Sequence, residues 1–197
     1  QALAALINLG YKIEPPQELD FKHKGIVNYF RSQNWGNVWG ASSHINHLLF
    51  FIKYSDLSEE KKLRISKLCL DEAIKYKKIY FKDNKKNNDL VLIGGWMKLL
   101  MGFSLFNLTE KLIDSKIVDV CLQNLKKKDA CEHFNTLYVL SECLKVSDYK
   151  KKEIIEMVLA TCGEWKTYFH ENYSGFSFNK DKSVEFYYGA RVTRGLN

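Results

Sequence analysis

Proline is almost absent: two residues in 197, adjacent at Pro15 and Pro16. With so few backbone breakers and so many Leu, Ile, Lys and Glu, the chain is expected to be mostly helical. No apolar run approaches the roughly 20 residues that a membrane span requires, and no secretory leader pattern opens the sequence. The cysteines are an odd five, with no CxxC spacing. Thiols set among apolar neighbours, as in Lys67-Leu68-Cys69-Leu70, fit a reducing, cytoplasmic compartment and not a disulfide framework. Arginine is scarce and no nucleic-acid motif occurs. The lysine excess behind the formal charge of +7 therefore reads as solvated surface, and no nucleic-acid partner is expected.

What is present is apolar and aromatic. The apolar fraction is 46% and the aromatic fraction 14%, enough to bury one sizeable core, so a single helical domain over 1–197 is expected. Lysines gather at 61–62, 85–86, 126–128 and 150–152, at expected helix ends or loops. The chain opens on Gln1 and not Met, so a missing or processed N-terminus is expected.

The pattern along the chain predicts N-terminal helices within 1–34, a short apolar one over 2–9 and another from about Gln17 to Ser32. A loop with two tryptophans follows, from Gln33 to Gly40. Helices of two kinds then alternate. Those near Ala41–Tyr54, Asp89–Phe106 and Ala130–Val146 are apolar nearly all round. Those near Ser58–Phe81, Glu110–Lys126 and Asp148–His170 are charged and amphipathic. Ser58 and Asp129 are capping residues, the latter with Glu132 three positions on. Ser183 is read as the cap of a fourth apolar helix, preceded by a turn at Gly175-Phe176-Ser177-Phe178. A helix apolar all round must be covered on both sides. The expectation is thus an all-α fold of inner and outer helix pairs over 35–197, as an incomplete α/α toroid or an α-solenoid.

The order of helices, the Asp129-Ala130-Cys131-Glu132-His133-Phe134 helix start, the Gly175-Phe176-Ser177-Phe178 turn and Tyr187-Tyr188-Gly189-Ala190 resemble the terpenoid-cyclase/protein-prenyltransferase class of α/α toroids. Trp35 to His44 also resembles in part a segment of bacterial toroid proteins. The resemblance implies inner-helix starts converging on one concave end, and a prenyltransferase-like piece of a larger toroid. The class's Asp-rich acid motif is missing. Asp129-Ala130-Cys131 has the spacing of the zinc-holding pair, but Tyr188 stands where that class's histidine would. No metal ligand set and no cofactor are assigned.

Several residues are candidates for chemistry. His44 and His47 share one helix face and, behind Trp35 and Trp39, could act at a pocket mouth as a metal pair or as acid and base. The alternative is histidines bonded to Ser42, Ser43 or backbone. His133 follows Cys131 by two residues, about 200° round a helix, so the two cannot pair directly; a structural role is the alternative. Tyr187, Arg191 and Arg194 share a face suited to an anionic group, or else form an exposed edge. Trp35, Trp39 and Trp96 are platforms for a sugar or isoprenoid chain, or packing residues. The candidate catalytic set is therefore His44, His47, His133 and Tyr187. The candidate substrate-binding set is Trp35, Trp39, Trp96, Tyr188, Arg191 and Arg194. Two functions follow as expectations: a toroid domain processing a small-molecule, isoprenoid-like or saccharide (glycan) substrate, or a non-catalytic helical-repeat module binding a protein or peptide. A truncated toroid exposes an apolar edge, so self-association is expected.

Overall fold

The computed structural model describes residues 9–10, 20–81, 88–124, 129–171, 175–177, 186–187 and 190–191. The expected helix over 2–9, Pro15, Pro16 and the Gln17 helix start fall outside these, apart from Leu9. The fold is all-α: seven α-helices among the described residues, with two-residue strands only near the C-terminal end. They fall into two compact units, 1–113 and 114–197.

The first unit contains α1 (His23–Ser32), α2 (Val38–Tyr54), α3 (Glu59–Tyr80) and α4 (Asp89–Ser104). Caps set most boundaries. Asn37 accepts from the Gly40 amide, Ser58 from the Lys61 amide and Asn88 from the Val91 amide, each satisfying an amide that has no partner inside its helix. Asn37 starts α2 at Val38, so the tryptophan loop is shorter than expected and Trp39 is helical. α4 is buried nearly all round, through Leu92, Ile93, Trp96, Met97, Leu99, Leu100 and Phe103. Its closest neighbour is α2, and glycines permit the approach. A Cβ on Gly94 would lie 3.5 Å from the Trp39 ring, one on Gly95 would lie 3.3 Å from Val38, and one on Gly102 would lie 3.1 Å from the Asn46 Cα. The pairings 94 with 39, 95 with 38 and 102 with 46 show that the two apolar helices run in the same direction. The amphipathic α3 links them in sequence and packs on α1 and α2.

The second unit contains α5 (Ser115–Gln123), α6 (Ala130–Val146) and α7 (Lys151–Trp165). α6 packs against both α5 and α7. It matches its expected bounds, with the Asp129 carboxylate accepting from the Glu132 amide at 2.8 Å. Lys150, before α7, adopts φ 51°, a left-handed conformation unusual outside glycine. Its ammonium is held 2.9 Å from Asp119 of α5, and Tyr149 donates to the same carboxylate at 3.2 Å.

Five expected elements need correction. The helix expected over 17–32 begins only at His23, after extended backbone at Lys22. The helix over 110–126 is broken: a 3-10 turn at Glu110–Leu112 gives way to extended backbone at Ile113, and Asp114 caps a separate α5. The helix over 148–170 starts at Lys151 and ends at Trp165, followed by a 3-10 turn (Lys166–Tyr168) and strand β1 (Phe169–His170). β1 pairs antiparallel with β2 (Gly175–Phe176), Phe169 opposite Phe176, where a turn was expected. In place of a fourth apolar helix, β3 (Phe186–Tyr187) pairs with β4 (Ala190–Arg191). Consecutive aromatics at 186 and 187 favour extended backbone.

Candidate functional site

The expected site residues separate into core and surface. Trp35 is core: it is 4% exposed, its indole N–H donates to the Phe30 carbonyl at 2.7 Å, and its ring stacks on Tyr76 at 4.7 Å. Tyr80 extends the stack. Trp96 is also core, packed on Phe81 at 5.4 Å. His133 is 2% exposed and meets the Tyr168 ring edge-on. Buried rings of this kind stabilise by packing, and these three have no open face for a ligand. Tyr187 and Arg191 lie in β3 and β4, not on a helix face. Tyr188 and Arg194 fall outside the described residues.

His44, His47 and Trp39 remain at the surface of α2. The two imidazoles share a face as their spacing predicts. The His44 carbonyl accepts a long bond from the Tyr29 hydroxyl of α1, at 3.4 Å. Burial first, then the charges of His44 and of Lys98 on α4, hold the His47 imidazolium below the usual histidine range. Among the described residues, no group of three or more His, Cys, Asp or Glu could hold a metal ion.

The second unit holds a feature that the sequence reading missed. α7 buries Ile154 and Thr161, yet Ile155, Leu159 and Cys162 form a further stripe, spaced i, i+4, i+7, that faces solvent. Leu159 is 67% exposed. At the end of the stripe lies an open cleft of about 730 Å³, lined by Cys162, Trp165, Lys166, Phe169, Glu171 and Phe176. Phe169 and Phe176 are cross-strand partners with ring centroids 5.1 Å apart, and Phe176 is 63% exposed. The Trp165 indole N–H is buried without a hydrogen-bond acceptor. A signal was present: apolar residues at both 154, 157, 158 and 155, 159, 162 are more than one packed face requires.

Beside the cleft, His170 Nε2 lies 3.0 Å from the Ser177 hydroxyl. That hydroxyl donates to the Tyr168 carbonyl at 3.3 Å, which leaves it to accept from the imidazole. A serine nucleophile needs the opposite polarity, with its own proton passing to the histidine. The pair ties the ribbon to the 3-10 turn.

No family model matches the chain, and neither a curated protein nor a solved structure matches it. No helix among the described residues is long and apolar enough to cross a membrane.

Proposed function

We propose that the chain is a non-catalytic helical-repeat module that docks a protein or peptide on the second unit. The observation that carries this reading is the solvent-facing apolar surface of Ile155, Leu159, Phe169 and Phe176 around the cleft. Side chains of this size grouped at a surface mark interaction sites more often than packing accidents. The partner that fits is an amphipathic helix: its apolar ridge lies along the 155–159–162 stripe, and one large side chain enters the cleft between Trp165 and the two phenylalanines. A cytoplasmic setting accords with this, since none of the five cysteines forms a disulfide. The like direction of α2 and α4 supports a repeat architecture. A closed toroid has less support, because β3 and β4 stand where a fourth inner helix was expected. For a substrate-processing domain, support is confined to the exposed His44–His47 pair.

The test is a display selection of amphipathic helical peptides on the unmodified protein, counter-selected on the Leu159→Glu variant. The expected outcome is enrichment of apolar residues at i, i+3 or i+4, and i+7, with binding weakened at least about tenfold by Leu159→Glu. Selected peptides that bind both proteins equally would overturn the assignment. Light scattering on the same pair checks self-association: a dimer lost in the variant identifies the partner as a second copy.

A further inference from the structure

The surface of the first unit where α2 meets α4 has basic side chains and, among the described residues of α1 and α2, no carboxylate. α2 contains no aspartate or glutamate, and the only acidic residue of α4 is Asp89 in its first turn. α1 contributes none either. On this surface stand His44 and His47, one helical turn apart, and Lys98. The glycine pairings fix where Lys98 falls. Gly94 lies beside Trp39 and Gly102 beside Asn46, and α2 and α4 run in the same direction. Lys98, one turn beyond Gly94, is therefore level with Ser43, between Trp39 and His47. Among the described residues, none of His44, His47 and Lys98 has an ion-pair partner or a side-chain hydrogen bond. The half-exposed indole of Trp39 borders the group, lying against Gly94.

We infer that His44, His47 and Lys98 form a binding site for the phosphate group of a small ligand, with the Trp39 ring as the platform for the ligand's planar part. Two imidazoles and one ammonium offer N–H donors from two helices held in fixed register, and a phosphate oxyanion is the complement to one ammonium and two imidazole donors on a face to which α2 brings no carboxylate. The proton affinity of His47 is lowered first by burial and then by the neighbouring charges of His44 and Lys98, and an anion would relieve the charge part. Among the described residues, the charged or titratable groups that act on His47 are His44 on its own helix and Lys98 on α4. The site is independent of the docking surface proposed on α7.

The experiment is an NMR titration of the histidine side chains of the intact chain with inorganic phosphate, against sodium chloride at matched ionic strength. His44 and His47 are expected to shift saturably with one common midpoint while His23 and His170 stay in place, and bound phosphate raises the His47 pKa. Lys98→Ala is expected to weaken binding about tenfold. Phenyl phosphate should bind more tightly than inorganic phosphate, a difference that Trp39→Ala removes. Uniform, unsaturable drift of all the histidines overturns the site, as does saturable binding that Lys98→Ala leaves unchanged. Acetate binding as tightly as phosphate overturns the phosphate assignment. Should Lys98→Ala fail to fold, the titration of the unmodified protein against chloride and acetate decides the matter alone.

Discussion

Replacing Gly102 by alanine adds one methyl group to the interface between α2 and α4. The added Cβ would lie 2.7 Å from Leu49 Cδ1 and 3.1 Å from the Asn46 Cα. Leu49 is fully buried, so its side chain has little room to turn away, and the Asn46 atom belongs to backbone. Overpacking of this kind costs about 1–3 kcal/mol, whereas exchanging a mid-helix glycine for alanine gains about 1 kcal/mol of helix propensity. The expected net effect is a loss of about 1 kcal/mol. Gly94 provides the opposite case in the same helix. There the nearest atoms, in the Trp39 ring, are 3.5 Å from the added Cβ, an ordinary contact with a half-exposed side chain. Gly94→Ala should therefore stabilise by about 0.5–1 kcal/mol. Urea unfolding reads both: the midpoint falls for Gly102→Ala and rises for Gly94→Ala, with the slope unchanged. A Gly102→Ala protein as stable as the unmodified one, or a Gly94→Ala protein less stable than Gly102→Ala, would refute the parallel packing of these helices.

Trp35→Leu removes the ring stacked on Phe30 and Tyr76 and the bond to the Phe30 carbonyl; a loss of about 2–4 kcal/mol in urea unfolding is expected, where a ligand platform would cost almost nothing. Thiol labelling of the native protein should modify Cys131 and Cys162, which are exposed, and spare Cys69, Cys121 and Cys143 until it unfolds; burial pushes the Cys69 thiol up to about 12, and mass spectrometry of the labelled chain identifies the order. The hydrogen bond and charge of Lys150 hold the Asp119 carboxyl below its usual range. A depressed folded-state pKa gives stability that is present above the unfolded carboxyl pKa and lost as pH falls through the folded one. Asp119→Asn is therefore expected to destabilise at neutral pH, and its difference from the unmodified protein should vanish in acid, as measured by urea unfolding across the acidic range.

Helix starts were legible in the sequence where a cap and a change of pattern coincide. Ser58 and Asp129 combine a side-chain acceptor with acidic residues in the first turn, and α3 and α6 begin beside them as expected. Ends were less legible, because the pattern persists past the true boundary. Ile113 continues the apolar spacing of 110–126, so nothing local marks the extended residue that divides that stretch. The residues Lys166 to His170 include no glycine or proline, yet β1 forms there because Phe169 finds Phe176 across the ribbon. That pairing is tertiary, and helical periodicity carries no trace of it.

The functional residues divide in the same way. The shared face of His44 and His47 is a property of one helix, and spacing alone gives it. Whether Trp35 is platform or core depends on Tyr76 and Tyr80, contributed by a different helix far along the chain, so its role could not be read from its own neighbourhood. Lys98 was overlooked for a related reason. Within α4 it is one cation among apolar residues, and its meaning comes from the register that Gly94 and Gly102 impose against α2. The absence of acidic residues from α2 was visible in the sequence, but a helix without carboxylates is unremarkable until a lysine from another helix is set beside its histidines. An added carboxylate at that level is therefore the sharpest probe of the arrangement. Ser43→Asp would give Lys98 and His47 a partner and raise the His47 pKa in the absence of phosphate, and it would block phosphate binding by occupying its charges.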